Sequence, residues 1–206
     1  MKGSRSVFFV VLRWREITEP KVAASFGIIA PTWALASIGI SIALSPWFSW
    51  TKNALSDLGV SRVAPIFNSG LIICGILIFP FIIGLAKIER TKRFGLIGSV
   101  VLLSSSVSLI GVGAFSEAFG LIHFYFSVAF FASLILSSII LGVHFTLGIS
   151  DKRLGIFTLL IGIISFISWI IWATIRLSGV AIPETISILL ASFWIIVLSI
   201  RMYREK

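Results

Sequence analysis

Residues 63–86 read VAPIFNSGLIICGILIFPFIIGLA, twenty-four residues without a single charge. From Gly70 to Leu85 the run does not alternate apolar with polar residues. It is therefore no strand of a membrane barrel, whose lipid and lumen faces alternate with period two. A hydrocarbon core about 30 Å thick takes roughly 20 apolar residues as a helix. Backbone amides in lipid must find partners inside the protein, and a helix supplies them within one segment. The stretch predicts a membrane-spanning helix.

Charge-free runs recur on both sides of it, at 22–51, 94–116, 118–150, 154–175 and 185–200. The last is short, but apolar residues 180–183 before it and the stem of Arg201 after it lengthen the effective span. The expected fold is all-α: a bundle of six transmembrane helices at about 22–45, 64–86, 94–115, 120–148, 154–175 and 184–203. Residues 22–203 then form the one membrane domain. Residues 1–21 precede it as a cytoplasmic or interfacial segment. Its apolar centre, 7–12, is too short to span, and no small-residue cleavage site follows, so it reads as neither span nor signal peptide.

Composition agrees. Hydrophobic residues make up 58% of the chain and charged ones 12%, against about 25% charged in a soluble domain. Mean hydropathy over the whole length is +1.10. The net charge of +9 would suggest nucleic acid in a soluble protein, but these bases sit at helix ends. They face anionic lipid headgroups, so membrane lipids are the expected partners and nucleic acid is not. A homo-oligomer stays open. Cys74 is the sole cysteine, which excludes an intrachain disulfide and a thiolate metal pair.

Lysine and arginine placement predicts orientation. Fourteen of them fall on the side of the two termini and three, Lys52, Arg62 and Arg176, on the other. That asymmetry puts both ends in the cytoplasm of a multi-pass cell-membrane protein. Glu16, Glu19, Glu89, Asp151 and Glu205 then lie on the inner side, where solvated pairing with the bases is expected. Asp57, Glu117 and Glu184 fall one in each outer loop.

Other polar residues gather at the same end: Asn53, Ser56 and Arg62 in the first outer loop, Asn68 one turn into the second helix, His123 one turn into the fourth, and Arg176 closing the fifth. If Asn53, Ser56, Asp57, Arg62, Asn68, Glu117, His123, Arg176 and Glu184 converge, they form the one candidate ligand site. Ordinary structural roles compete, such as Asp57 capping a turn or pairing with Arg62. Asn68 and His123 stand out, because a polar group within a span is costly without a partner.

Catalytic patterns are sparse. His123 and His144 are 21 residues apart on one helix, about 31 Å, and cannot share a metal. There is no HExxH motif, so no metal and no cofactor is expected. His144 reads as interfacial. Serines are many but none sits in a GxSxG elbow, and serine in a membrane helix usually bonds its own backbone. Serines and alanines four apart, as at Ser37 and Ser41, Ser104 and Ser108, and Ser133 and Ser137, read as packing seams. Pro31 and Pro80 are expected inside the first two helices, as kinks or as sites of a freed carbonyl.

The string Asn53-Ala54-Leu55-Ser56-Asp57-Leu58-Gly59, then Phe67-Asn68-Ser69-Gly70-Leu71, and later His123 after a short outer segment, resembles the six-helix membrane family known as domain of unknown function 998. The resemblance covers the chain from about Ala23 to Tyr203. It implies the fold and no sharp activity, in a family common in archaea and bacteria.

Three functions are compatible with these residues. The first is a binder of a lipid headgroup or small polar molecule in an outward-facing pocket. The second is an intramembrane hydrolase or lipid-modifying enzyme with His123 as base or metal ligand beside Asp57 and Glu117. A small transporter comes third, since no charge lies at mid-depth in any span.

Overall fold

A computed structural model describes residues 15–89, 92–148, 151–175 and 178–204. Its long helices are α1 (Pro20–Ala43), α2 (Ala64–Glu89), α3 (Arg93–Ala114), α4 (Leu121–Leu147), α5 (Lys152–Ile175) and α6 (Ala181–Arg204). Short 3₁₀ helices at Leu55–Val60 and Glu117–Phe119 occupy the loops after α1 and α3. No strand occurs among the described residues. All six long helices are long and apolar enough to cross a membrane, and the protein is a multi-pass membrane protein.

Each helix packs against the next in sequence, and α6 returns to α1 and closes the ring. Lipid is as apolar as leucine, so close backbone approach and hydrogen bonds, not water exclusion, hold such helices together. Glycines make that approach: a Cβ on Gly70 would meet Ser37 of α1, and one on Gly142 would meet Leu159 of α5. Ser106 Oγ donates across the α2–α3 seam to the Gly75 carbonyl at 2.7 Å, and Ser137 Oγ donates across α3–α4 to that of Gly98 at 3.0 Å. On α6, Trp194 Nε1 donates to Thr158 Oγ1 of α5 at 3.2 Å.

The expected seams divide accordingly. Ser37, Ser41 and Ser137 are buried between helices, whereas Ser104 is exposed and Ser133 half-exposed, each bonded to its own helix backbone. Large apolar side chains such as Ile29, Ile164 and Phe166 face outward, as lipid permits. Helices α1 and α2 continue through Pro31 and Pro80 without a break.

The two described chain ends share one face of the bundle. Lys87 at the end of α2 donates to Thr18 Oγ1 and, at 3.3 Å, to the Thr18 carbonyl. Here Glu89 departs from its expected solvated role and His144 from its interfacial one. They pair at 2.7 Å with side chains only 13% and 5% exposed, joining α2 to α4. The cause is Gly95, whose missing side chain leaves room between Glu89 and His144. Beside this pair, Arg201 of α6 stacks over the Phe145 ring at 5.1 Å and reaches Asp151 at 3.7 Å.

Candidate functional site

The opposite face carries the loops after α1, α3 and α5. In the first of them, Asn53 Oδ1 accepts the Ser49 amide at 2.9 Å, and Asn53 Nδ2 donates to Asp57 Oδ2 at 2.6 Å. The same Asp57 oxygen accepts the Ala54 amide at 3.2 Å, so Asp57 caps the 3₁₀ helix that contains it. It does not pair with Arg62, which is exposed and makes no ion pair among the described residues.

The loop after α5 lies against the first loop. The Gly179 amide donates to Thr51 O and the Ala181 amide to Asn53 O, both at 3.0 Å. Trp172 Nε1 holds the Gly179 carbonyl at 2.8 Å. This brings α6 in under the first loop, where Glu184 Oε2 accepts the Leu55 amide at 2.7 Å. Glu184 is only 7% exposed. Its second oxygen has no hydrogen-bond partner among the described residues.

Glu117, in the loop after α3, reaches Asp57 within hydrogen-bonding distance. Burial first, then that hydrogen bond and the Asp57 charge, push its carboxyl up from 4.5 to about 7. Asp57 and Glu117 are both close enough to act electrostatically on Glu184. Glu184, expected in the third outer loop, lies in the first turn of α6, and the carboxyl groups of Asp57, Glu117 and Glu184 gather at this face.

Asn68 and His123 join this face by other routes. Asn68 Nδ2 donates to the Gly59 carbonyl at 2.9 Å, tying the start of α2 to the first loop. His123, 7% exposed, sets Nδ1 against the Phe115 carbonyl at 2.7 Å and Nε2 against Ser127 Oγ at 3.2 Å. A carbonyl only accepts, so Nδ1 carries the proton of the neutral ring and Nε2 is the acceptor for the serine hydroxyl.

Below the cluster lies a cavity of about 30 Å³ whose wall includes Ser56, Ser127 and Glu184. It shares Ile38, Leu71, Leu109, Phe130 and Ile188 with a second cavity of about 70 Å³ that reaches Ile82 and Ile195. The deeper wall is apolar apart from Ser105, Ser106 and Ser192, and the hydroxyls of the first two already donate to backbone carbonyls. Along α6 the walls of the two adjoining cavities, together called the bore below, extend from Glu184 to Ile195, about 16 Å of helix. Helix α5 contributes nothing to its wall.

The sequence model of a family described as protein of unknown function (DUF998) matches residues 28–201. The chain belongs to the DUF998 family. No curated protein and no solved structure matches it.

The loop string that carried the resemblance to DUF998 has a physical explanation in this fold. Asn53 and Asp57 build the cap of the 3₁₀ helix, and Gly59 offers its carbonyl to Asn68 while its bare Cα admits the Asn68 amide. Of the residues singled out from sequence, Asn53, Asp57, Glu117 and Glu184 come together, and Ser56 lines the cavity beneath them. Asn68 attaches to the same segment through Gly59. His123 does not join Asp57 and Glu117 as a metal set: no three His, Cys, Asp or Glu side chains among the described residues are placed to hold a metal ion. Arg176 lies outside the described residues.

Sequence inspection missed Ser127. The signal was present, since positions four apart share a helix face and Ser127 follows His123 by four. A search for a GxSxG elbow, which belongs to a strand-to-helix turn, passes over it.

Proposed function

We propose that this DUF998 protein binds an amphiphile drawn from the membrane, with the apolar chain in the bore and the polar head under the loop face beside Ser56 and Glu184. One observation carries this reading: the cavity touching Glu184 adjoins, with five wall residues in common, an apolar space running deep between the helices. Ligand sites are typically apolar with a few polar groups that fix orientation, and here the one ionisable group on the wall, Glu184, lies at the loop end. We place that end outside the cell and both termini in the cytoplasm of the cell membrane, on the fourteen-to-three division of bases.

The test is to fill the bore. Ala34 and Ala191 line it and are buried, so Ala34→Phe or Ala191→Phe should abolish saturable binding of a long-chain fluorescent fatty-acyl probe to purified protein. Exposed Ala132→Phe should leave binding intact. Equal binding by monodisperse bore-filled variants would refute the reading.

A further inference from the structure

Ser127 is unusual among the helical serines. Ser37, Ser41, Ser99, Ser105, Ser108 and Ser199 all donate to a carbonyl three or four residues back, the default for serine in a membrane helix. Ser127 instead turns its hydroxyl to His123 Nε2 at 3.2 Å. The far nitrogen of that ring is fixed by the Phe115 carbonyl at 2.7 Å. A hydroxyl, a base positioned to take its proton and a third group orienting the base are the parts of an activated nucleophile. Ser127 also lines the upper cavity, which adjoins the deeper apolar one.

From this geometry we infer that Ser127 and His123 are a nucleophile and general base that cleave the ester or thioester of an acyl chain lodged in the bore. The inference rests on the bore accepting such a chain. As Ser127 Oγ bonds to the acyl carbonyl carbon, its proton passes to His123 Nε2. Collapse of the tetrahedral intermediate breaks the bond to the leaving oxygen or sulfur, which takes that proton. Water, deprotonated by the same nitrogen, then attacks the acyl-serine; the bond to Ser127 Oγ breaks, that oxygen takes the proton back from His123 Nε2, and the carboxylic acid is released. Ser56, on the same cavity wall and with no hydrogen-bond partner for its hydroxyl among the described residues, is the donor available to the developing oxyanion.

A long-chain alkyl fluorophosphonate, which phosphonylates activated serines, tests the pair on the full chain in detergent. One adduct is expected, mapped to Ser127. Ser127→Ala should lose it, and Ser133→Ala, which removes a serine bonded only to its own helix, should not. With p-nitrophenyl esters as substrates, His123→Gln should slow hydrolysis about a hundredfold or more, and a long acyl chain should react faster than acetyl. An adduct elsewhere, or hydrolysis unchanged in Ser127→Ala, overturns the inference. His123 also braces the Phe115 carbonyl, so if its variant unfolds, Ser127→Ala, which deletes one oxygen, decides alone. The two proposals separate cleanly: hydrolysis that ignores chain length keeps the dyad and sinks the bore, whereas saturable chain binding without hydrolysis keeps the bore and sinks the dyad.

Discussion

Glu184 Oε2 on α6 accepts the Leu55 amide at 2.7 Å, across 129 residues of sequence. The bond fixes the first loop over the last helix at a buried position, so removing its acceptor strands a backbone donor away from water. Glu184→Ala should destabilise the protein by roughly 1–3 kcal/mol. Glu184→Gln keeps an acceptor oxygen and should lose much less. Thermal unfolding in detergent checks the pair, and equal losses for the two variants would show that the Leu55 bond is not what Glu184 contributes.

The Glu117 carboxyl is pushed up to about 7 by burial and by Asp57, although part of its side chain is exposed and solvent screens some of that effect. Its native state holds a proton more tightly than the unfolded chain does. Between about 4.5 and 7 the folded protein therefore binds more protons, so stability falls as pH rises through this window and is flat outside it. Melting temperature measured from pH 4.5 to 8 should show that fall in the wild type and a flatter profile in Glu117→Gln. A wild type that gains stability over the window contradicts the Asp57–Glu117 contact.

Gly59 and Asn68 test the loop string itself. A Cβ on Gly59 would sit 2.5 Å from Asn68 Oδ1, so Gly59→Ala must displace the amide that bonds the Gly59 carbonyl. Asn68→Ala deletes the same bond from the other side. Each single change should cost about 1–3 kcal/mol, and the double variant should cost clearly less than their sum, because contacting residues share one interaction. Strict additivity would separate the two positions.

Much of the architecture was legible because charge is so costly in lipid that it marks helix ends. The six charge-free runs locate six helices, with the sixth beginning at Ala181 where the sequence suggested about 184. Its start is set by the Ala181 amide bonding Asn53 O, a contact between loops that no local pattern announces. The same limit governed the site. That Asp57, Glu117 and Glu184 share a face followed from counting spans, but that Asp57 caps its own helix, or that Glu184 takes the Leu55 amide, depends on how the loops fold over one another. Ser127 escaped for a different reason: its chemistry lies in which of two acceptors its hydroxyl chooses, and composition does not record that choice.

The Glu89–His144 pair makes the strongest demand on the opposite face. With both side chains nearly out of solvent, removing one partner leaves the other buried without its counterpart, which in such pairs costs about 3–5 kcal/mol. Replacing both with apolar groups removes the desolvation penalty as well as the attraction and is often neutral. Glu89→Leu and His144→Leu should each lower the melting temperature sharply, while the double variant should recover most of the loss. Gly95 sets a geometric control, since a Cβ there would lie 2.9 Å from His144 Nε2 and as close to the Glu89 carbonyl. Gly95→Ala should therefore destabilise the wild type more than it does the Glu89→Leu/His144→Leu protein, where the histidine ring is gone. A double variant as unstable as the sum of its singles would mean that the two residues act separately, and that α2 and α4 are joined at this end by packing alone.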